Sequence, residues 1–257
     1  VIIPHQMSYR YFIRLSFKGT AYHGWQIQPN APTIQAVLNR DMSIILGETI
    51  ETTGAGRTDT GVHAKVFYAH FDSEKDHLDN QGKLIHQLNG ILPADIAVQE
   101  ILKVNPDAHA RYSALSRTYE YHILRAKDPF LPGFAHTVTR ALDMQKMDEA
   151  TRILFEYTDF TSFSRVDTDV SNYNCRIMQA DWKSEGHLLV FTIRADRFLR
   201  NMVRAIAGTL LDVGTGRTTP EGFRTVIESR NRSAAGASAP AKGLFLTAID
   251  YPGNIFI

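Results

Sequence analysis

Tyr9-Arg10-Tyr11-Phe12-Ile13-Arg14-Leu15-Ser16-Phe17 alternates with a period of two. Tyr9, Tyr11, Ile13, Leu15 and Phe17 fall on one face, and Arg10, Arg14 and Ser16 on the other. That pattern, rich in aromatic and branched residues, predicts a strand with one buried face. Lys18-Gly19-Thr20 closes it with a turn, and Tyr22-His23-Gly24-Trp25-Gln26 follows as an irregular aromatic loop. Thr33 reads as a helix N-cap, with Ile34, Val37, Leu38, Met42 and Ile45 at helical spacing and Gly47 as the stop. Further strands are predicted at 66–71, 96–104, 117–125 and 244–251, and helices at 84–91, 145–157 and 198–213. A hairpin joins 175–183 to 188–195 through Glu185-Gly186-His187. Strands joined by hairpins and mixed with helices read as α+β, with a largely antiparallel sheet and helices on one side.

The 257 residues are 44% hydrophobic and 21% charged, which excludes wholesale disorder. No run approaches the ~18 apolar residues of a membrane-spanning helix. The single cysteine, Cys175, excludes an intrachain disulfide and a cysteine-based metal cage, and favours a reducing compartment. Val1 to Gln6 precede Met7 and lack the basic start and apolar stretch of a secretory signal, so residues 1–7 read as a leader. Net charge is only +1, yet the stretch from Arg176 to Arg232 holds ten basic and six acidic residues. An anionic partner is therefore admissible near the C-terminal half.

Gly54-Ala55-Gly56-Arg57-Thr58-Asp59-Thr60-Gly61-Val62-His63-Ala64 is polar and punctuated by glycine. Arg57 and Asp59 bracket one residue, so in an extended segment they share a side. A carboxylate near a guanidinium stays ionised and can attack carbon or take a proton. An Asx turn explains Asp beside Gly equally well. The Asp-Thr-Gly of aspartic proteases needs a second carboxylate, and no second copy exists; the Gly-Lys-Ser/Thr ending of a P-loop is missing. His63 serves either as an acid–base group or, the commoner use, as a structural hydrogen-bonding group. The ten histidines show no metal-ligand spacing, so no metal is expected.

Taken whole, Gly56-Arg57-Thr58-Asp59-Thr60-Gly61-Val62-His63-Ala64 resembles the active-site motif of the TruA family of tRNA pseudouridine synthases. Phe17 to Gln26, Thr33-Ile34-Gln35, His109-Ala110-Arg111-Tyr112-Ser113 and Arg117-Thr118-Tyr119-Glu120-Tyr121 resemble further segments of that family. So do Phe160-Thr161-Ser162-Phe163, Phe198 to Arg204 and Gly243-Leu244-Phe245-Leu246. The resemblance runs in order through residues 8–252.

The resemblance implies two similar halves, 8–108 with the catalytic loop and 109–257, forming one domain with a central cleft. It implies isomerisation of uridines 38, 39 and 40 of the tRNA anticodon stem and loop, with no cofactor. Asp59 matches the catalytic aspartate, and Arg57 the arginine that takes the place of the everted base. Arg204 matches the cation paired with the carboxylate. Tyr119 and Leu244 match residues that pack on the uracil, and His109 and Arg111 a segment near RNA. Arg197, Arg200 and Arg204, three and four residues apart, would share a helical face, with Arg197 and Arg200 as RNA contacts. The partners implied are tRNA and a second copy of the chain, with no membrane, in the cytoplasm. Residues 164–174 depart from the family pattern by carrying two acids, which weakens the case for RNA contact there. The rival is a non-catalytic RNA-binding protein of the same fold. Retention of Asp59, Arg57, Tyr119 and Arg204 together argues against it.

Overall fold

The computed structural model describes residues 8–80, 82–165 and 172–257; the expected leader and most of the acidic loop lie outside them. Contacts divide the chain into two units. The first runs to Leu115 and resumes at Ala248–Ile257, and the second is Ser116–Thr247.

In the first unit, β1 (Tyr9–Phe17) leads to α1 (Ile34–Leu46), the short β2 (Thr53–Gly54) and β3 (His63–Ser73). Then come α2 (Gly82–Ile91) and β4 (Ile96–Lys103). β1 is central, antiparallel to both β3 and β4. Its alternation holds: Tyr11, Ile13, Leu15 and Phe17 are buried. They lie in register with Phe71, Ala69, Phe67 and Ala64 of β3. Thr33 caps α1 by accepting from the Ala36 amide, and Gly47 ends the helix in the left-handed region. Ile34, Leu38 and Met42 on its inner stripe and Leu84 and Leu88 of α2 complete the core.

The second unit holds β5 (Ser116–Leu124), β6 (His136–Thr137), α3 (Met144–Ile153), β7 (Ile177–Glu185) and β8 (Leu188–Ala195). After these come α4 (Met202–Gly214), α5 (Pro220–Glu228) and the start of β9 (Leu244–Asp250), whose last three residues belong to the first unit. β7 and β8 form the expected hairpin, with Glu185 opposite Leu188 across a two-residue turn, and β8 pairs antiparallel with β5. The β5–β6 contact is parallel. α4 is buried almost all round. The fold is therefore mixed α+β, with largely antiparallel pairing and helices packed to one side of the strands.

Two features depart from the alternating pattern. Phe12 belongs to the polar face of β1, yet it is fully buried. Tyr251 and Phe256 of the C-terminal segment meet it edge-on at 5.1 and 6.2 Å. Burying such a ring contributes roughly 1.5–3 kcal/mol. The second departure is at α4, which begins at Met202 and not near Phe198. Asn201 sits before it with φ 67°, a left-handed conformation that breaks the helix. Arg197 and Arg200 therefore precede the helix, and the shared helical face with Arg204 does not exist.

His70 of β3 is 7% exposed beside Phe12, and its Nδ1 accepts from the Ala110 amide at 3.1 Å. Burial first, then the charges of His109 and Arg10, push its pKa down to about 4, against a smaller opposing pull from Asp72. An unfolded histidine titrates near 6.5, so between about pH 6.5 and 4 the unfolded chain binds the extra proton. Stability should be fully present above that window and fall as pH drops through it, by at most ~1.4 kcal/mol per pH unit for one proton. His70→Asn keeps an acceptor near the Nδ1 position but cannot titrate there. Thermal melts at pH 7, 6 and 5 should show a shallower decline for this variant than for wild type; parallel declines would rule out His70 as the source.

Candidate active site

The loop that carries Asp59 is anchored before it turns. Thr53 and Gly54 pair with His70 and Ala69, and the Ala55 amide donates to the Tyr68 carbonyl at 2.8 Å. The chain then leaves the sheet and reverses at Asp59, whose carbonyl accepts from the Val62 amide at 3.1 Å, with Gly61 at φ 81°. The aromatic loop lies directly against this reversal. The Tyr22 carbonyl accepts from the Gly61 amide, and His63 Nδ1 accepts from the Gly19 amide at 3.1 Å. Gly24 has φ 87°, and a Cβ there would stand 2.1 Å from the Thr58 carbonyl oxygen. Only glycine supplies both that conformation and that approach. Trp25 stacks on Phe67 at 4.3 Å and Tyr22 donates to Asp95, so the aromatic loop is itself held by the core.

The outcome is a half-buried Asp59 between an exposed Arg57 and an exposed Thr60. Asp59 is thus open to solvent on a backbone fixed from both sides. His63 is 1% exposed and bonded to the Gly19 amide, which gives it a structural hydrogen bond.

His109 and Arg111 occupy a separate tight turn in the same unit. The Ser113 amide donates to the His109 carbonyl, and His109 Nδ1 accepts from the Arg111 and Tyr112 amides at 3.0 and 3.3 Å. Burial, then Arg10 and Arg111, lower the His109 pKa, in keeping with an imidazole that accepts at Nδ1. Arg111 is exposed, with its guanidinium over the ring of Tyr112, itself 75% exposed. A cation and an aromatic face are therefore presented together by a rigid turn.

In the second unit the remaining residues gather around Tyr121. Tyr119, Tyr121 and Ile123 lie on one face of β5; Tyr121 and Ile123 are fully buried, whereas Tyr119 is only half-buried. The ring of Phe198 meets Tyr119 edge-on at 5.2 Å. The Tyr121 hydroxyl donates to the Pro240 carbonyl, and burial raises its pKa against the pull of the nearby Arg204 charge. Arg204, on the first turn of α4, donates from Nε to the Ala239 carbonyl at 2.8 Å. Leu244 follows at the start of β9 and is buried. Tyr121, two residues from Tyr119 on the same face, thus has the Arg204 charge nearby, and a Cβ on Gly243, next to Leu244, would stand 3.0 Å from its ring.

Arg197 and Arg200 lie on the segment before α4. Arg197 Nη1 donates to Asn172, and the Arg200 carbonyl accepts from the Arg165 amide. No sequence signal marks Phe198 as a contact of Tyr119, because its apolar spacing places it on the helix. Nor does any signal mark Ala239, whose side chain is small and whose backbone does the work. Among the described residues no group of histidine, cysteine and acidic side chains has the arrangement of a metal site.

Comparison with known proteins completes the description. A family model described as tRNA pseudouridine synthase matches residues 15–113 and 157–252. The tRNA pseudouridine synthase A of Bacteroides thetaiotaomicron is 54% identical over 250 residues, covering 96% of this chain and 92% of that protein. The proteins of the same name from Bacteroides fragilis and Parabacteroides distasonis are 52% and 50% identical. Each covers 96% of this chain and 98% of the relative. With the motifs in order along its whole length and the aspartate loop built as described, the chain belongs to the TruA family of tRNA pseudouridine synthases.

Proposed function

We propose that the chain isomerises uridine to pseudouridine at positions 38, 39 and 40 of the tRNA anticodon stem and loop. The observation that carries this reading is Asp59, half-buried and solvent-accessible on a loop braced by the Gly24 approach. The reaction breaks the bond between the sugar C1′ and uracil N1 and forms one between C1′ and C5. C5 gives up a proton and N1 gains one, so no oxidant, energy source or cofactor is needed. The Asp59 carboxylate is assigned the covalent or proton-transfer role, and Arg204 the role of its cation. Tyr119 supplies an aromatic face for the everted base, worth roughly 1–3 kcal/mol by stacking, with Leu244 packing on it. Arg57 takes the vacated place in the stem, offsetting part of the few kcal/mol that eversion costs.

His109, Arg111, Arg197 and Arg200 are assigned to RNA, with Arg111 on phosphate by its bidentate geometry. A homodimer acting in the cytoplasm fits an enzyme of this kind. Among the described residues no helix is long and apolar enough to cross a membrane.

With tRNA transcript tritiated at uracil C5, wild type should release label and Asp59→Asn should slow release by roughly 10²–10⁴-fold, the usual weight of a positioned acid–base group. Tight tRNA binding without release by wild type would favour the non-catalytic RNA-binding alternative. Arg111→Ala should weaken tRNA binding and reduce the slope of log affinity against log salt by about 1. An unchanged slope in filter binding would remove Arg111 from the phosphate contacts.

A further inference from the structure

Asn201 breaks two local rules at once. It is a non-glycine residue at φ 67°, and as the N-cap of α4 it makes no side-chain bond to the helix it caps. Asparagine tolerates the left-handed region better than most residues, and such positions are found at functional sites, so the partner of its side chain is the point of interest. Here Asn201 Nδ2 donates to Ser238 Oγ at 2.6 Å. The same oxygen accepts from Arg232 Nη2 at 2.8 Å, while Arg232 Nη1 donates to the Gly236 carbonyl at 3.2 Å.

Ser238 therefore anchors the segment that runs along α4. That segment is pressed against the helix: a Cβ on Gly208 would stand 1.9 Å from the Ala237 carbonyl oxygen, so helix and segment meet at backbone distance. The Gly236 amide donates to Thr209 Oγ1 at 3.0 Å. The next residue, Ala239, makes two bonds to one arginine. Its amide donates to the Arg204 carbonyl at 2.9 Å, and its carbonyl accepts from Arg204 Nε at 2.8 Å. The Nε bond fixes the plane of the guanidinium.

We propose that Asn201, Ser238 and Arg232 are positioning residues that set the guanidinium of Arg204 through the Ala239 carbonyl. The inference rests on the reading of Arg204 as the cation for the Asp59 carboxylate. Seen this way, the small-residue stretch 234–240 is a bracket whose backbone orients a reacting-site charge. Misplacing such a group by about 1 Å costs rate, not substrate affinity.

The test is steady-state tritium release from C5-labelled tRNA, with thermal melts of each variant alongside. Asn201→Gly preserves the left-handed backbone while removing the side chain, and Ser238→Ala removes the shared oxygen. Both should lower kcat by roughly ten- to a hundredfold, leave KM for tRNA within about twofold and leave the melting temperature nearly unchanged. Ser238→Thr, which restores the oxygen, should recover most of the rate. Unchanged kcat in both variants would overturn the proposal. So would a raised KM at constant kcat, which would make the segment an RNA contact. A loss of rate that tracks loss of melting temperature, with no recovery in Ser238→Thr, would make it scaffold only and overturn it as well. Wild type releasing no label while binding tRNA would instead defeat the reading of the reaction, and the assignment of Arg204 with it.

Discussion

The carbonyl oxygen of Thr58 occupies the space where any residue other than glycine at position 24 would carry its Cβ. That close approach is what holds the aspartate loop. A loop of this composition, with three glycines in eight residues from Gly54 to Gly61, has high conformational entropy when unconstrained. The constraint comes from a neighbour placed by the core: Trp25 on Phe67, Tyr22 on Asp95, and His63 receiving the Gly19 amide. Asp59 is therefore presented to solvent without needing a rigid sequence of its own.

The second unit solves the same problem with a different device. A strand face that is buried at Ile123 and Tyr121 opens at Tyr119. The core thus supplies the rigidity for the aromatic ring it leaves partly uncovered. Arg204 lies close enough for its charge to act on Tyr121, and its side chain is bonded to a backbone carbonyl. In both units backbone contacts set the local frame: the Gly24 approach holds the loop of Asp59, and the Ala239 carbonyl accepts from Arg204.

This explains what could and could not be read beforehand. The strand at 9–17, the hairpin at Gly186 and the capped helix after Thr33 follow from period, turn chemistry and capping, all local properties. Arg57 and Asp59 stand out by their chemistry, whereas the roles assigned to Tyr119, Arg204 and Leu244 rest on motifs that match a known family in order; periodicity alone makes Tyr119 and Leu244 core. The start of α4 is not legible in the sequence, because Phe198 and Leu199 continue the apolar spacing of the helix whereas the break depends on the backbone of Asn201. The burial of Phe12 is invisible in the alternating pattern because Tyr251 and Phe256, which meet its ring, lie more than 230 positions away. The stretch 234–240, alanine, glycine and serine closed by Pro240, carries no periodicity that would reveal its backbone bonds to α4.

The return of Ala248–Ile257 to the first unit has a consequence for biosynthesis. Tyr251 and Phe256 shield Phe12, and the Tyr251 hydroxyl donates to the Ala110 carbonyl. A nascent chain emerges at about 5–20 residues per second and folds as units complete themselves. For this chain, Phe12 meets Tyr68 and His70 of the first unit early, but its cover by Tyr251 and Phe256 waits until residues beyond the whole second unit have emerged. The first unit is therefore discontinuous in sequence, and its last aromatic contacts form only across the intervening second unit.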